Sequence, residues 1–218
     1  MPIPAFPVDP APGASPERPE WARLSTQAKR ERIIQAAIAV FAQRGLEAPM
    51  HEVAAAAGAG VASIYRVFPS KHDLWAAIVV RRMDELTEDV HAAEELPIDR
   101  WSALVQLLRD RVRKQSPEPF TIEARAVVEG REDVDAAIAR AAEAQERLLA
   151  AAHAEGRLRA DATVEDLRLL FTATRAARRL NAGWPRMLEL MIDALDAGRG
   201  TSGTPFGAQT GRAGTSGG

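Results

Sequence analysis

Apolar residues recur at helical spacing through the stretch from Thr26 to Leu74, and glycine or proline interrupts the pattern three times. Ile34, Ala37, Ile38 and Phe41 stand at i, i+3, i+4 and i+7, which predicts a first helix with one apolar face and with Lys29, Arg30 and Arg32 in water. Gly45 ends it, and Leu46 can fold back onto the last turn. Pro49 opens a second helix with the stripe Met50, Val53, Ala54 and Ala57, broken by Gly58-Ala59-Gly60. So short a helix is unstable alone and must pack on neighbours. A third runs from Val61 to Phe68 and stops at Pro69, with Ile64 and Phe68 facing inward and Val61 or Tyr65 at the margins. Two short helices joined by a glycine-containing turn make a helix-turn-helix.

Behind this head the same period continues. Ser70 is expected to cap a fourth helix reaching about Glu94, with Trp75, Val79, Met83, Leu86 and Val90 on one stripe and Leu74 and Ile78 pointing elsewhere. Two apolar faces suit a connector, and Arg81 and Arg82 are read as its solvated side. After Leu96-Pro97 come a fifth helix (Trp101, Leu104, Val105, Leu108, Val112) and a sixth (Phe120, Ala124, Val127, Val128) closed by Gly130. A long seventh carries Val134, Ile138, Ala141, Ala142, Leu148, Leu149 and Ala152, with Gln145 interrupting its stripe. An eighth extends from Asp161 to Gly183 with Thr163 as N-cap and Leu167, Leu170, Phe171, Thr174 and Ala177 on one face; a ninth starts at Trp184-Pro185 and carries Leu188, Met191, Ile192 and Leu195. No convincing strand is found. The expected fold class is all-α, about nine helices: an arm over 1–24, a helix-turn-helix domain over 25–70, a helical body over 71–197 and a tail over 198–218, the two ends being Pro- or Gly-rich without apolar period and read as disordered.

Ala57-Gly58, Ser63-Ile64-Tyr65-Arg66, Phe68-Pro69-Ser70-Lys71 and Leu74, behind a basic first helix and ahead of a long one, resemble the DNA-binding signature of the TetR family of transcriptional regulators. The motif resemblance covers the first third of the chain. It implies a ligand-responsive repressor that binds double-stranded operator DNA as a homodimer, with Gly60 opening the recognition helix, Val61, Ala62 and Ser63 facing base edges, Tyr65 and Lys71 on phosphates and Arg66 as a further phosphate candidate. The resemblance also implies that the last two helices meet their symmetry mates, with Leu170, Ala173, Ala177, Leu188, Met191 and Leu195 as interface candidates against the plainer reading of an internal core. An unknown small-molecule effector would lie among helices four to seven; Trp101, Phe120 and Gln145 are the candidate lining residues, Gln145 being read first as an internal hydrogen-bonded amide. The chain departs from the family pattern at Pro49, where a hydroxyl residue is usual, at Gly60, where serine is frequent, and at Val67, where histidine is frequent.

Composition narrows the remaining classes. With 218 residues, 46% of them hydrophobic, the chain can bury a substantial core. It has no cysteine, which excludes disulfides and thiolate metal sites. No segment has the length of a membrane span and no signal peptide is recognised, so no membrane partner and a cytoplasmic location are expected. The net charge is only −2, but Arg18, Arg23, Lys29, Arg30, Arg32, Arg44, Arg66 and Lys71 outnumber the acids around them, while acids gather over 84–95 and 118–146. Arg18 and Arg23 in the arm are candidates for the DNA backbone or minor groove. His51, His72, His91 and His153 lack the i+3 or i+4 partner of a helical metal site, and no nucleophile or phosphate-loop motif is present, so neither enzyme, metal nor cofactor is expected. The alternative to a regulator is a helical interaction module of the same fold that no longer binds DNA specifically.

Overall fold

The computed structural model describes residues 19–114, 120–180 and 183–199. These form ten α-helices: α1 Pro19–Arg23, α2 Thr26–Arg44, α3 Met50–Ala57, α4 Val61–Val67, α5 Lys71–Glu94, α6 Arg100–Lys114, α7 Phe120–Val127, α8 Glu132–Ala154, α9 Val164–Arg179 and α10 Trp184–Leu195. Among the described residues the β-type pairing is an isolated bridge between Leu158 and Asp196. Helices α2 to α10 answer the nine expected from the periodicity. The expected arm contains the tenth, because Trp21 is buried with the head core, Lys29 lies over its ring at 5.9 Å, and Glu20 pairs with Arg32 at 3.1 Å. The disordered segment expected to reach residue 24 therefore gives way to structure at Pro19; Arg18 lies outside the described residues.

Backbone contacts divide the described residues into two compact units, 19–89 with 120–144 and 90–114 with 145–199. The boundary expected at 70/71 falls inside the first of these units. Leu74, Trp75, Ala76, Ala77, Ile78 and Val79 are all buried, so α5 is covered on every side over 74–79 and shares one core with Ile33, Phe41, Val53, Ile64 and Phe68 and with Ala124, Val128 and Val134. Leu74 and Ile78 do point away from the Trp75 stripe, and both directions are filled within this unit.

In the first unit, Ser25 caps α2 by accepting the Ala28 N–H at 3.1 Å, and α3 closes on Gly58, whose φ of 69° is the left-handed conformation glycine adopts without a steric penalty. The turn between α3 and α4 follows from that residue. Arg81 is not the solvated cation expected: it pairs with Glu31 of α2 and, at 2.8 Å, with Glu85, and Arg82 meets Glu85 at 2.9 Å. Glu31 is consequently held below the ordinary carboxylate range by its hydrogen bond from Arg81.

In the second unit, Thr163 and Asp166 form a reciprocal capping box at the start of α9. Arg109 of α6 donates twice to Glu189 of α10, at 2.9 and 2.6 Å, and Arg178 of α9 donates to the Val112 carbonyl of α6. The interface candidates separate by face. Leu170, Ala177 and Leu188 are buried within the chain and correct the expectation, since the most apolar stripe of each helix is used for the core; Leu195 is half-buried. Ala173 is exposed and Met191 half-buried, and the side they border carries Leu169 (56% exposed) and Ala176 on α9, Leu180 at its C-cap, and Leu190 (49%) and Ala194 on α10.

Candidate nucleic-acid interface

Helix α4 has seven residues, and burial sorts them cleanly. Ile64 is fully buried and Phe68, at its C-cap, is 1% exposed, so the i, i+4 pair anchors the helix on α2 and α3. Val61, Ala62, Tyr65 and Arg66 form the opposite, exposed face. A short helix held from behind and open in front is the geometry that can enter a major groove.

Ser63 does not belong to that face. It is only 4% exposed, which corrects the expectation that it meets a base edge directly. Helical rotation places it beside Ile64 on the inner border, and a buried hydroxyl needs a partner; it accepts a hydrogen bond from Arg66 Nη2 at 2.5 Å. Gly60 has φ −77° and ψ 147°, ordinary extended values, and a Cβ built there meets nothing within 4 Å. Neither Gly60 nor Pro49 supplies a side-chain cap to the helix it precedes.

Two cations of the head are held on aromatic rings. Lys71 Nζ lies 5.3 Å from the Trp75 ring centroid and 5.8 Å from that of Phe41, which holds the ammonium at the first turn of α5. Arg30 of α2 stacks on Phe68 with its guanidinium carbon 4.6 Å from the ring centroid. Sequence reasoning took Arg30 as one more solvated charge; the signal available was its place on the edge of the α2 stripe, four residues before Ile34. Arg44 reaches Glu52 at 3.1 Å, so part of the basic excess is balanced locally. Arg23 stands at the end of α1, exposed. His51 and His72 are exposed as well, and His72 packs edge-on to Trp75.

The effector candidates fall differently. Trp101 is buried and lines an open cleft of about 590 Å³ in the second unit together with Val105, Ile192, Arg109, Arg157 and Asp196. Asp110, Arg113 and Asp193 add to the charge of its walls. Gln145 is half-buried and does not line this cleft, and the Phe120 side chain lies outside the described residues.

The model of the family described as bacterial regulatory proteins, tetR family, matches residues 33–78, the span that holds α3, α4 and the start of α5. Over those residues the chain is similar to the DNA-binding head of the TetR family. Solved TetR-type structures match along most of the body as well. A TetR transcription regulatory protein from Mycobacterium vanbaalenii is 26% identical, with 78% of this chain and 96% of that one covered at a TM-score of 0.59. The TetR-like regulator LfrR from Mycobacterium smegmatis, in complex with proflavine, is 19% identical over 77% and 93% at a TM-score of 0.63. SmeT, the repressor of a Stenotrophomonas maltophilia multidrug efflux pump, is 24% identical over 82% and 96% at 0.55. No curated protein gives a sequence match. No described helix is long and apolar enough to cross a membrane, and no group of three or more His, Asp and Glu among the described residues could hold a metal ion.

Proposed function

We propose that this chain is a transcriptional regulator that occupies a palindromic operator as a homodimer and leaves it when a small molecule binds. The observation that carries the reading is the exposed face of α4, Val61, Ala62, Tyr65 and Arg66, presented on a fully buried Ile64–Phe68 anchor. Two such helices in a symmetric pair enter successive major grooves about 34 Å apart. Val61 and Ala62 offer apolar contact to thymine methyls, while Tyr65, Lys71 and Arg30 take phosphates. The partner copy docks on the outer side of α9 and α10, where Leu169, Ala173, Leu180 and Leu190 are exposed. An isologous contact of that kind buries in the dimer what the single chain leaves in water.

Release by an effector is supported by the likeness to LfrR, whose structure holds proflavine, and repression by the likeness to SmeT. To move the protein from 1:99 to 99:1 in favour of a state that no longer fits DNA, the effector must bind that state about 5.5 kcal/mol better. Binding of a duplex from the region upstream of the protein's own gene tests the reading, with a scrambled duplex as control. Fluorescence anisotropy should show a preference of roughly 1,000-fold or more, falling steeply between about 50 and 200 mM salt. Equal affinity for both duplexes would leave only an interaction module of the same fold.

A further inference from the structure

We infer that Arg66 is the residue through which α4 reads a guanine, and that the buried Ser63 hydroxyl poses it for that contact. The inference rests on the proposed binding of DNA and adds to it the source of base discrimination. Of the four side chains on the exposed face of α4, Val61 and Ala62 have no hydrogen-bonding atoms and Tyr65 has one hydroxyl. Arg66 alone carries the planar fork of donors that matches the O6 and N7 acceptors of guanine. A phosphate contact makes no such geometric demand.

The fork is also held in place. Ser63 lies one turn before Arg66, is 4% exposed, and accepts a hydrogen bond from Arg66 Nη2 at 2.5 Å. A charge-assisted bond to a group seated in the core fixes the long side chain against the rim of the helix. A guanidinium carries five N–H donors, enough for the bond to Ser63 and a bidentate pair on a base. Part of the rotamer entropy that an arginine loses on docking is thus lost already in the free protein. Ser63 is a positioning residue, and its burial is what lets it act as one.

The test is selection of bound duplexes from a random pool by the full-length protein, with wild type, Arg66→Ala and Ser63→Ala compared, followed by affinities for the winning site and for single-base variants across a salt series. Wild type should enrich a site with one fixed guanine in each half. Arg66→Ala should lose the preference for that guanine by roughly 5- to 150-fold while discrimination at other positions stands. Ser63→Ala should keep the same preferred base but weaken its selection by roughly 2- to 12-fold, with the salt slope unchanged. Arg66→Ala weakening every sequence alike, with the salt slope smaller by about one, would assign it to phosphate and overturn the inference. Ser63→Ala with full discrimination at the guanine would overturn the positioning role. Wild type enriching no sequence would instead bring down the DNA-binding reading itself. Arg66 is on the exposed face, so its variant folds; a thermal melt of Ser63→Ala separates loss of posing from loss of structure.

Discussion

Arg131 donates to Asp73 at 3.1 Å across 58 positions of the chain. Asp73 stands in the first turn of α5, where its second oxygen accepts the Ser70 N–H at 3.0 Å and the Ser70 hydroxyl at 2.7 Å while its own N–H donates to that hydroxyl at 3.1 Å. The chain leaving α4 through Phe68-Pro69 is therefore gripped by a capping box, and the box is gripped by the turn before α8. Arg131 is itself oriented by Asp133, at 3.1 and 3.2 Å. The first unit thus fixes the exit of the recognition helix from both sides of a single carboxylate.

Replacing Asp73 with Ala should cost about 0.5–2 kcal/mol of stability at neutral pH through the lost cap. Hydrogen bonds from Ser70, and then from Arg131, hold the Asp73 carboxyl below its ordinary value of 3.8. A depressed carboxylate contributes stability that is complete above the unfolded value and is lost as pH falls through the folded one. The gap between wild type and Asp73→Ala should accordingly be constant from neutral pH down to about pH 5 and close in more acid solution. Thermal melts across that range check this; a gap unchanged at the acid end would contradict it. Arg131→Ala, which breaks a pair that is a third exposed on each side, should cost no more than about 1 kcal/mol.

Gly60 precedes α4 in a conformation any residue can adopt, with open space where a side chain would go. Gly60→Ser should stabilise the protein by about 0.5–1 kcal/mol, by restricting the unfolded chain and by supplying the missing cap. A serine hydroxyl there should also tighten operator binding modestly and without regard to sequence, if it adds a phosphate contact at the helix start. A lower melting temperature would mean that the space at Gly60 is filled by a group not among the described residues.

Trp21 ties five residues of α1 to the head core at 2% exposure. Its truncation to Ala should cost about 3–5 kcal/mol, the ordinary range for a buried aromatic, and should lower DNA affinity with it. Chemical denaturation would show the loss as an earlier midpoint. A midpoint unchanged in Trp21→Ala would return the segment to the role of a loose arm.

The helices were legible in the sequence where punctuation was strong. Gly45, Gly58 and Pro69 end α2, α3 and α4, and the hydroxyl–acid pairs Ser70/Asp73 and Thr163/Asp166 start α5 and α9, so boundaries followed from local chemistry. Helix α1 was not legible, because five residues with one tryptophan carry no period to read. Ser63 was placed on the wrong side of α4 for a related reason: a small polar residue beside Ile64 fits either border of a seven-residue helix. The grouping into units was hidden by continuity, since α5 and α8 each run through the boundary without a break. Leu170 and Leu188, interface candidates by the family resemblance, follow the plainer reading instead, because the strongest stripe of an amphipathic helix goes to its own core.

Exposed and buried leucines side by side on α9 and α10 give a discriminating pair of variants. Leu169 and Leu190, more than or about half exposed, should tolerate conversion to Glu within about 0.5 kcal/mol of monomer stability, yet the double variant should run as a monomer in light scattering and lose operator binding. Leu170→Ala, at 2% exposure, should instead cost about 2–5 kcal/mol of folding stability through the cavity it leaves. A dimer that survives Leu169→Glu with Leu190→Glu would place the partner on another surface.

Two copies of the exposed face of α4 are proposed to meet DNA together. Hydroxyl-radical footprinting of the selected operator with the full-length protein examines that directly. Two protected patches centred about 10 base pairs apart and related by two-fold symmetry are predicted, both vanishing in Leu169→Glu with Leu190→Glu. A single patch, or protection spread evenly along the duplex whatever its sequence, would contradict it.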